Sequence, residues 1–296
     1  MLILLCLVPR FSPVSPTGFP SVRTVLLKGF DPRGLIFFTN YQGAKGSALL
    51  RDPRTALVFY WKTNERQIRV EGLAEKLTDA ESDAYFHERP IQSQIGGVVS
   101  PQSRPIANHA ALERSYISTV QGVAQEVARH LEKQKRRASR DGSEESEQET
   151  REIAETQAKV SELLNGLSLQ TGTAPAGAAA GVEQPAGSAS SSSSSALPAV
   201  PTTPADVAAT HDGLQLALAS LQSLENTSEA TRSLLRRVVH RPPHWGGFLI
   251  RPQQMEFWCD GAYRLHSRIL YTKADKNNAA KGATADSEWN TTFLAP

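Results

Sequence analysis

Cysteine is scarce in this chain of 296 residues, which contains only Cys6 and Cys259. Two cysteines exclude a scaffold held together by disulfides and a cysteine-rich zinc site. An excess of one charge is also lacking, because 32 Lys and Arg residues face 30 Asp and Glu residues for a net charge of +2. That balance excludes a nucleic-acid binder that works by net charge alone. No apolar run reaches the roughly 20 residues of a membrane-spanning helix.

The common catalytic and nucleotide-binding signatures are missing too. The chain contains neither a GxGxxG nor a Walker A sequence, which argues against the usual nucleotide-binding α/β folds. Ser100 and Ser103 lack the GxSxG context of a nucleophile, and the histidines show no metal-ligand spacing with acidic residues. Chemistry in this chain therefore requires a bound cofactor, and no metal site is expected.

The N-terminal segment Met1–Val8 is apolar but short. It lacks a basic stretch and a clear small-residue cleavage site, so it gives only weak support for a signal peptide. The alternative interpretation is a β-strand. We expect a cytoplasmic protein, with mitochondrial or other targeting left open.

Composition divides the chain into four segments. Residues 19–136 and 238–296 are rich in β-branched and aromatic side chains, and we expect them to form two parts of one binding domain. Residues 1–18 are an atypical or truncated N-terminal segment. Residues 137–237 are rich in Ala, Ser, Glu and Gln and contain six consecutive serines, Ser190–Ser195. We expect that segment to be a low-complexity, disordered insertion with short helices, because it offers little apolar surface to bury.

Apolar residues at helical spacing predict three helices, at Tyr116–Leu131, Val160–Leu167 and Leu214–Leu221. A fourth helix is expected to begin at Thr78, which forms a capping-box pattern with Glu81. The first three helices flank the insertion or lie within it, so the binding domain itself depends mainly on strands.

Seven short runs with turn signals between them predict strands: Val22–Lys28, Leu35–Thr39, Thr55–Trp61, Gln67–Lys76, Gly247–Arg251, Gln254–Trp258 and Leu265–Thr272. The segment Asp31–Gly34 is a predicted turn, because Pro32 presets its own φ and glycine accepts a positive φ. Short strands at close spacing favour a mainly β protein with flanking helices, built as an antiparallel barrel or sandwich.

Several residues of types that commonly bind anions stand at the ends of predicted elements: Arg23, Lys28, Thr39, Lys45, Tyr85, Arg89 and Ser93. Tyr85 and Arg89 are four residues apart on one helix face, and Ser93 is expected in the turn after the helix. Taken singly, each of these residues fits an ordinary solvated surface position. Together they match the hydrogen-bond donors and cations that a phosphate group requires.

A second cationic cluster is predicted near the C-terminus. On the strand Leu265–Thr272 and the residue before it, Arg264, His266 and Arg268 would point to one face at a period of two. Such a face either meets an anion or an electron-rich ring, or it is an exposed basic edge that discourages aggregation.

The chain carries FHERP at Phe86–Pro90, SQIG at Ser93–Gly96, WGGF at Trp245–Phe248 and RLHSR at Arg264–Arg268. Further segments accompany these: RTVLLK at Arg23–Lys28, FFTN at Phe37–Asn40, ERQIRVEG at Glu65–Gly72, SPQS at Ser100–Ser103, EFW at Glu256–Trp258 and LAP at Leu294–Pro296. In this order they resemble the pyridoxamine/pyridoxine 5′-phosphate oxidase family. The resemblance covers almost all of the expected binding domain and leaves out residues 1–17 and the insertion.

The resemblance implies an antiparallel split β-barrel that binds FMN and works as a homodimer, with FMN in the groove between subunits. It implies transfer of a hydride from C4′ of pyridoxamine or pyridoxine 5′-phosphate to flavin N5. Dioxygen then reoxidises the flavin, and the products are hydrogen peroxide and pyridoxal 5′-phosphate. No nucleic acid or membrane partner is expected. The alternatives are a non-catalytic split-barrel protein that binds FMN or pyridoxal phosphate, and a different split-barrel flavin oxidoreductase.

The resemblance also assigns residues. The FMN set comprises Arg23, Thr24, Val25, Leu26, Leu27, Lys28, Phe38, Thr39, Lys45, Gln67, Gln102, Ser103, Trp258 and Arg268. The substrate set comprises Lys28, Tyr85, Arg89 and Ser93 around the 5′-phosphate, with Arg264 and His266 as catalytic residues over the pyridine ring.

One departure from the family pattern generates a prediction. The family usually carries an Arg-Lys pair after FFTN, and here the pair is Ala44-Lys45. A lost charge-assisted hydrogen bond to phosphate is worth about 1.5–3 kcal/mol. We therefore expect Ala44→Arg to tighten FMN binding by roughly tenfold to a hundredfold in a fluorescence titration of flavin-free protein. Equal dissociation constants for the two proteins would refute the expectation.

Overall fold

The computed structural model describes residues 2–7, 21–141, 144–171, 204–274 and 289–296. The chain forms two compact units: a barrel unit of Met1–Phe86 with Pro242–Pro296, and a helical unit of His87–Arg241. These boundaries differ from the composition boundaries at 136 and 237. The boundaries of the ligand-binding domain stay a prediction.

The strands of the barrel unit are β1 (Leu2–Leu7), β2 (Ser21–Leu26), β3 (Gly29–Asp31), β4 (Gly34–Asn40), β5 (Arg54–Trp61), β6 (Arg66–Lys76), β7 (Trp245–Cys259), β8 (Ser267–Lys273) and β9 (Trp289–Leu294). Helix α1 (Ala44–Arg51) follows β4, and α2 (Asp79–Glu88) follows β6. Among the described residues the strand order is β2-β1-β5-β6-β7-β4-β3, with β8 paired to β7 and β9 paired to β8. All pairs are antiparallel.

Among the described residues, the sheet is not closed by pairing of its two end strands. Strands β2 and β3 stand at opposite ends of the strand order, yet only Leu27 and Lys28 separate them in sequence. The N–H of Lys28 donates to the carbonyl of Ile36 on β4 at 2.9 Å, and Val25 and Phe37 are buried in the same core cluster. The architecture is an antiparallel barrel that is split between β2 and β3, which confirms the expected fold.

Strand β7 serves two neighbours along one edge. Its first half, Trp245–Ile250, pairs with β4, and its second half, Gln254–Cys259, pairs with β8. On the other edge β6 pairs with both halves, and a register shift leaves Gln253 as an extra residue beside Pro252. A bulge beside a proline is expected, because proline cannot donate to the ladder. The two strands predicted for this region are therefore one bulged strand.

The apolar segment at the N-terminus is a strand, as one of the two interpretations predicted. Strand β1 lies between β2 and β5 in the sheet, with Leu4 opposite Thr24 on one side and opposite Val58 on the other. It therefore supplies a ladder partner to both strands, and β2, which carries Arg23, is hydrogen-bonded along its length.

The barrel core consists of inward residues of the strands together with Tyr41, which follows β4, and Leu49 of α1: Val25, Phe37, Tyr41, Leu49, Leu57, Phe59, Val70, Ala74, Phe248 and Ile250. Phe37 and Phe248 stack with their ring centroids 5.8 Å apart. Full burial of such a side chain contributes about 1.5–3 kcal/mol. The core therefore fixes β4 and the first half of β7, the strands on which functional side chains follow.

The helical unit contains α3 (Ile91–Val99), α4 (His109–Asp141), α5 (Glu144–Thr171), α6 (Pro204–Glu225) and α7 (Glu229–Val238). Helix α4 confirms the prediction at Tyr116–Leu131. The expectation of short helices in the insertion is wrong, because α5 has 28 residues and α6 has 22. Their apolar faces are buried, with Leu163 on α5 and Leu221 on α6 among the most enclosed side chains. Residues 172–203, including the serine run, lie outside the described residues.

None of the helices in the described part of the chain combines the length and the apolar character needed to cross a bilayer. Helix α4 is the longest of them, but its exposed face carries charges such as Lys133 and Arg136. The alternation of apolar and charged residues on α4 is that of a helix packed on one face only.

The predicted capping box is present at the start of α2. The backbone N–H of Thr78 donates to Oε2 of Glu81 at 3.0 Å, and the N–H of Glu81 donates to Oγ1 of Thr78 at 3.2 Å. The hydroxyl of Thr78 also donates to Oε2 of Glu81 at 2.7 Å. This bond, followed by the one from the Thr78 backbone N–H and by one from Arg33, lowers the pKa of Glu81. The cap fixes the start of the helix that carries Tyr85.

We predict that Thr78→Ala lowers the free energy of unfolding of the barrel unit by about 1 kcal/mol, because the first turn of α2 loses its cap. All four tryptophans lie in the barrel unit, so tryptophan fluorescence during urea unfolding reports this unit. Thr63→Ala, at an exposed threonine of the same unit, is the control. An equal midpoint for both variants would contradict the prediction.

Candidate active site

Three residues of the predicted FMN set meet at the start of α1. Lys45 lies in the first turn of α1, and its Nζ donates to Oγ1 of Thr39, the buried residue near the end of β4, at 2.7 Å. Burial, followed by the positive charge of Arg23 on β2, lowers the pKa of Lys45. Arg23 donates from Nη2 to Oγ of Ser21 at 2.8 Å, while its buried Nε has no hydrogen-bond partner.

Two cations are thus held close together in a partly buried place, beside a helix N-terminus whose residue Gly43 provides no side-chain cap. Repulsion between like charges destabilises this arrangement unless an anion lies near. The N-terminus of α1 adds N–H donors and the positive end of the helix dipole. The chemistry of the group is that of a phosphate site.

Next to it, aromatic rings bring the two predicted ligand sets together. Phe38 on β4 stacks on Tyr85 of α2, with centroids 3.9 Å apart and planes 19° apart. Trp245 stacks on the same Phe38 at 5.5 Å. The Nζ of Lys28 lies 5.9 Å from the Tyr85 centroid. Lys28 and Tyr85, both predicted to bind the substrate phosphate, therefore face the same stack.

A second group lies across three neighbouring strands. Gln67 of β6 is paired with Trp258 of β7, and Trp258 is paired with Arg268 of β8. All three residues belong to the predicted FMN set, and directly opposed residues point to the same face of a sheet. A cavity of about 470 Å³ borders this row, lined by Trp61, Asn64, Arg66, Gln67, Ile68, Phe257, Trp258, Cys259, Ser267 and Ile269. Its volume lies in the range of small-molecule sites.

Glu256 balances the charge of this row. Its buried carboxylate accepts from Nε of Arg268 at 2.8 Å and from Nη1 of Arg69 at 3.0 Å. Arg268 also donates to the carbonyl of Ala295 at 3.0 Å. Glu256 thus supplies a negative charge to Arg268 within the sheet, and the assignment of Arg268 to FMN binding stays a prediction.

The predicted face of three cations is also corrected. Strand β8 begins only at Ser267, and Arg264 lies in a short 3₁₀ turn, Ala262–Arg264, before it. Arg264 is exposed, and its backbone lies in the left-handed region with a φ of 65°. The ring of His266 lies over Trp258, with centroids 4.9 Å apart, and its Nδ1 lies 2.9 Å from Oδ1 of Asp260. Only Arg268 of the three therefore follows strand periodicity.

Four predicted residues belong to the helical unit. Arg89 is half-buried directly after α2, and its carbonyl accepts from Nε2 of Gln94 at 2.8 Å. Ser93 is exposed in the first turn of α3, so its expected place in a turn is wrong. Gln102 and Ser103 form the centre of a turn closed by Arg104 and Pro101, and Ser103 has a φ of 67°. A positive φ at this position is characteristic of a type II turn and costs a serine more than a glycine.

The remaining FMN residues belong to β2 and the break after it. Val25 is buried in the core, with 8% of its surface exposed. Thr24 and Leu26 are exposed, and Leu27 packs against the core. This alternation leaves backbone groups and the outward side chains of β2 as possible contacts.

Sequence reasoning missed Glu256 and Asp260. Glu256 could have been found, because it lies two residues before Trp258 and so shares its strand face. Asp260 gave no such signal, because it contacts His266 across a loop and not along a strand. Among the described residues, no group of three His, Cys, Asp or Glu side chains is arranged to hold a metal ion.

The lowered pKa of Lys45 predicts a pH effect on flavin-free protein. Because the folded-state pKa lies below the ordinary lysine value of about 10.4, the unfolded chain binds more protons in the interval below that value. The contribution of Lys45 to the free energy of unfolding therefore rises with pH. We compare the wild type with Lys45→Met at neutral pH and at about one unit below the ordinary lysine pKa. The free energy of unfolding of the wild type, relative to that of the variant, should be larger at the higher pH.

Urea unfolding followed by tryptophan fluorescence measures this difference at both pH values. Lys62→Met, at an exposed lysine of the same unit, is the control. A wild-type advantage over Lys45→Met that stays constant or shrinks as pH rises would contradict the prediction.

Comparison with known proteins gives two family matches. A family model described as pyridoxamine 5′-phosphate oxidase matches residues 9–124. A second, described as the pyridoxine 5′-phosphate oxidase C-terminal dimerisation region, matches residues 245–296. The two matches include all the strands from β2 to β9, and between them lies the greater part of the helical unit.

Individual relatives agree. The chain is 28% identical over 260 residues to a pyridoxine/pyridoxamine 5′-phosphate oxidase of Bartonella henselae, covering 88% of this chain and 72% of the relative. It is 56% identical over 106 residues to the protein of the same name from Thermobifida fusca, covering 36% of this chain and 48% of the relative. In that alignment the chain spans about half the length of the relative.

A solved structure supports the fold. The crystal structure of PhzG from Burkholderia lata 383, in complex with tetrahydrophenazine-1-carboxylic acid, has a TM-score of 0.50 at 19% identity. The likeness covers 99% of this chain and 81% of that chain. With the split barrel, the two family matches and the relatives in agreement, the chain belongs to the pyridoxine/pyridoxamine 5′-phosphate oxidase family of oxidoreductases.

Proposed function

We propose that this protein binds FMN and oxidises pyridoxamine or pyridoxine 5′-phosphate to pyridoxal 5′-phosphate. The observation that carries the proposal is the closeness of Arg23 and Lys45, two cations that share a partly buried place at the start of α1. The like charges are compatible with folding when a phosphate group lies between them. The family membership names the phosphate ligand as FMN.

The phosphate of FMN binds to Arg23, Thr39 and Lys45. The orphaned Nε of Arg23 offers one donor, and α1 offers its N-terminal N–H groups. Thr39 holds Lys45 in place through the 2.7 Å hydrogen bond between its Oγ1 and Nζ. A single dianionic group satisfies all three residues.

The ring system of FMN requires a wide, partly apolar surface with a few polar groups. The cavity beside Gln67 and Trp258 has a suitable volume, about 470 Å³. Bound FMN supplies the electron acceptor, which takes a hydride from C4′ of the substrate and passes both electrons to dioxygen as hydrogen peroxide. Oxidation of pyridoxamine 5′-phosphate also releases ammonia after hydrolysis.

The substrate is held by two sets of residues. Lys28, Tyr85, Arg89 and Ser93 bind its 5′-phosphate, as the family resemblance assigns them. Arg264 and His266 contact the pyridine ring and fix its orientation. The support from local structure is the approach of Lys28 to Tyr85 and the tilted ring contact of His266 with Trp258.

The working form is a homodimer with FMN at the subunit interface. The matched C-terminal dimerisation region, residues 245–296, exposes large apolar side chains that include Phe257, Leu265 and Phe293. Their exposed fractions are 38%, 70% and 79%. Apolar side chains exposed in one region of a chain favour contact with another chain.

The test begins with the full chain reconstituted with FMN. Pyridoxine 5′-phosphate is added in air, and pyridoxal 5′-phosphate and hydrogen peroxide are followed together. We expect equal amounts of both products. Pyridoxamine 5′-phosphate should give the same products with one ammonia per turnover.

Two variants separate the binding sites. Lys45→Met should weaken FMN binding by roughly tenfold or more, whereas Tyr85→Phe, at a residue of the substrate set alone, should retain FMN and raise the KM for the phosphorylated substrate. Lys62→Met should match the wild type in both. A yellow protein that forms no product would support the alternative of a non-catalytic binder, and a protein that binds no flavin would refute the proposal entirely.

A further inference from the structure

Asp260 and His266 close a loop at the end of β7. The loop comprises residues 260–266, and its two ends meet where Oδ1 of Asp260 lies 2.9 Å from Nδ1 of His266. The backbone N–H of Asp260 also donates to the carbonyl of Glu65 at 3.0 Å, which ties the loop to the segment before β6. Neither the sequence patterns nor the assigned ligand sets include Asp260.

The short distance decides where the proton of the imidazole lies. A carboxylate only accepts hydrogen bonds, so the 2.9 Å contact of Oδ1 with Nδ1 is attractive when Nδ1 carries a proton. The N–H of Gly261 also points to Nδ1, at the longer distance of 3.4 Å. The carboxylate contact outweighs this weak bond, because a charge-assisted hydrogen bond is roughly twice as strong as a neutral one.

With Nδ1 protonated, the neutral ring keeps Nε2 as an acceptor. The ring plane is fixed as well, because the ring lies against Trp258 with centroids 4.9 Å apart. His266 therefore has one tautomer, one orientation and one free acceptor nitrogen. Such a nitrogen accepts a hydrogen bond from the O–H of a substrate hydroxyl or from the N–H of a substrate amino group.

The same contact supports Arg264. Tyr263 and Arg264 are consecutive left-handed residues, with φ values of 58° and 65°. Such backbone is strained outside glycine and persists only where the surroundings hold it. The Asp260–His266 contact joins the two ends of the loop, and a hydrogen bond from the N–H of Leu265 to the carbonyl of Ala262 at 3.1 Å closes the turn that contains both residues.

Resting on the proposed function, we propose that Asp260 is a positioning residue for the oxidation. By accepting a hydrogen bond from Nδ1 of His266, it leaves Nε2 as the acceptor for the hydroxyl or amino group on C4′ of the substrate. It also holds the loop in the form that presents Arg264.

The first test measures the tautomer directly. Multiple-bond ¹H–¹⁵N spectra of the full FMN-bound chain resolve protonated from unprotonated ring nitrogens, and His266→Gln identifies the signals of His266. In the wild type we expect the proton on Nδ1. In Asp260→Ala we expect a shift to the Nε2-protonated form, which free imidazole side chains favour.

The second test is a double-mutant cycle on kcat/KM for pyridoxine 5′-phosphate. Asp260→Ala should lower kcat/KM about tenfold, the loss of one good hydrogen bond, while FMN content stays unchanged. In the His266→Gln background, Asp260→Ala should cause no further loss. Asp260→Glu should recover part of the activity.

Asp31→Asn is the matched control, because Asp31 also closes a turn, through Arg33, and should leave kcat/KM unchanged. An equal loss from Asp260→Ala with and without His266 would mean a general structural role and would overturn the proposal. An unchanged tautomer in Asp260→Ala would overturn it too. A wild type without oxidase activity would refute the proposed function instead, and the spectra would still decide the role of Asp260 toward His266.

Discussion

The hydrogen-bond pattern of β7 is the constraint on which the barrel unit depends. One edge of the strand pairs with β6 throughout, while the other edge changes partner from β4 to β8 at the bulge beside Pro252. The first half carries Phe248 into the core, and the second half carries Glu256 and Trp258 to the candidate site. A loss of register in β7 would therefore disturb the core and the site together, since a slip by one residue moves every side chain to the other face.

Charge within the barrel unit is arranged in two different ways. Arg268 and Arg69 converge on the buried carboxylate of Glu256, so this part of the site is balanced by the chain itself. Lys45 instead lies partly buried beside the like charge of Arg23, and burial, followed by that charge, lowers the pKa of Lys45. The first arrangement fixes side chains before any ligand binds, and the second favours binding of an anion. A nearly neutral chain can therefore carry a local excess of positive charge.

Much of the barrel unit follows from local sequence patterns. Alternation predicted β4, β5 and β6 closely, and the capping box of Thr78 and Glu81 marked the start of α2. The helix at Tyr116–Leu131 followed from apolar spacing. The split of the barrel between β2 and β3 did not follow, because the strand order depends on pairing between distant segments. Only the family resemblance supplied that part of the fold.

The failures have a common physical origin in tertiary contact. Leu163 and Leu221 gave patterns for short helices, yet the long helices α5 and α6 form because each covers the apolar face of another helix. Arg264 and His266 fit a strand pattern, yet the contact of His266 with Asp260 draws them into a loop. Side chains alternate between two faces only where the chain is a strand held by ladder hydrogen bonds. The pairing of β8 with β7 begins at Ser267. A single carboxylate outside every motif thus decides how two predicted catalytic residues are presented.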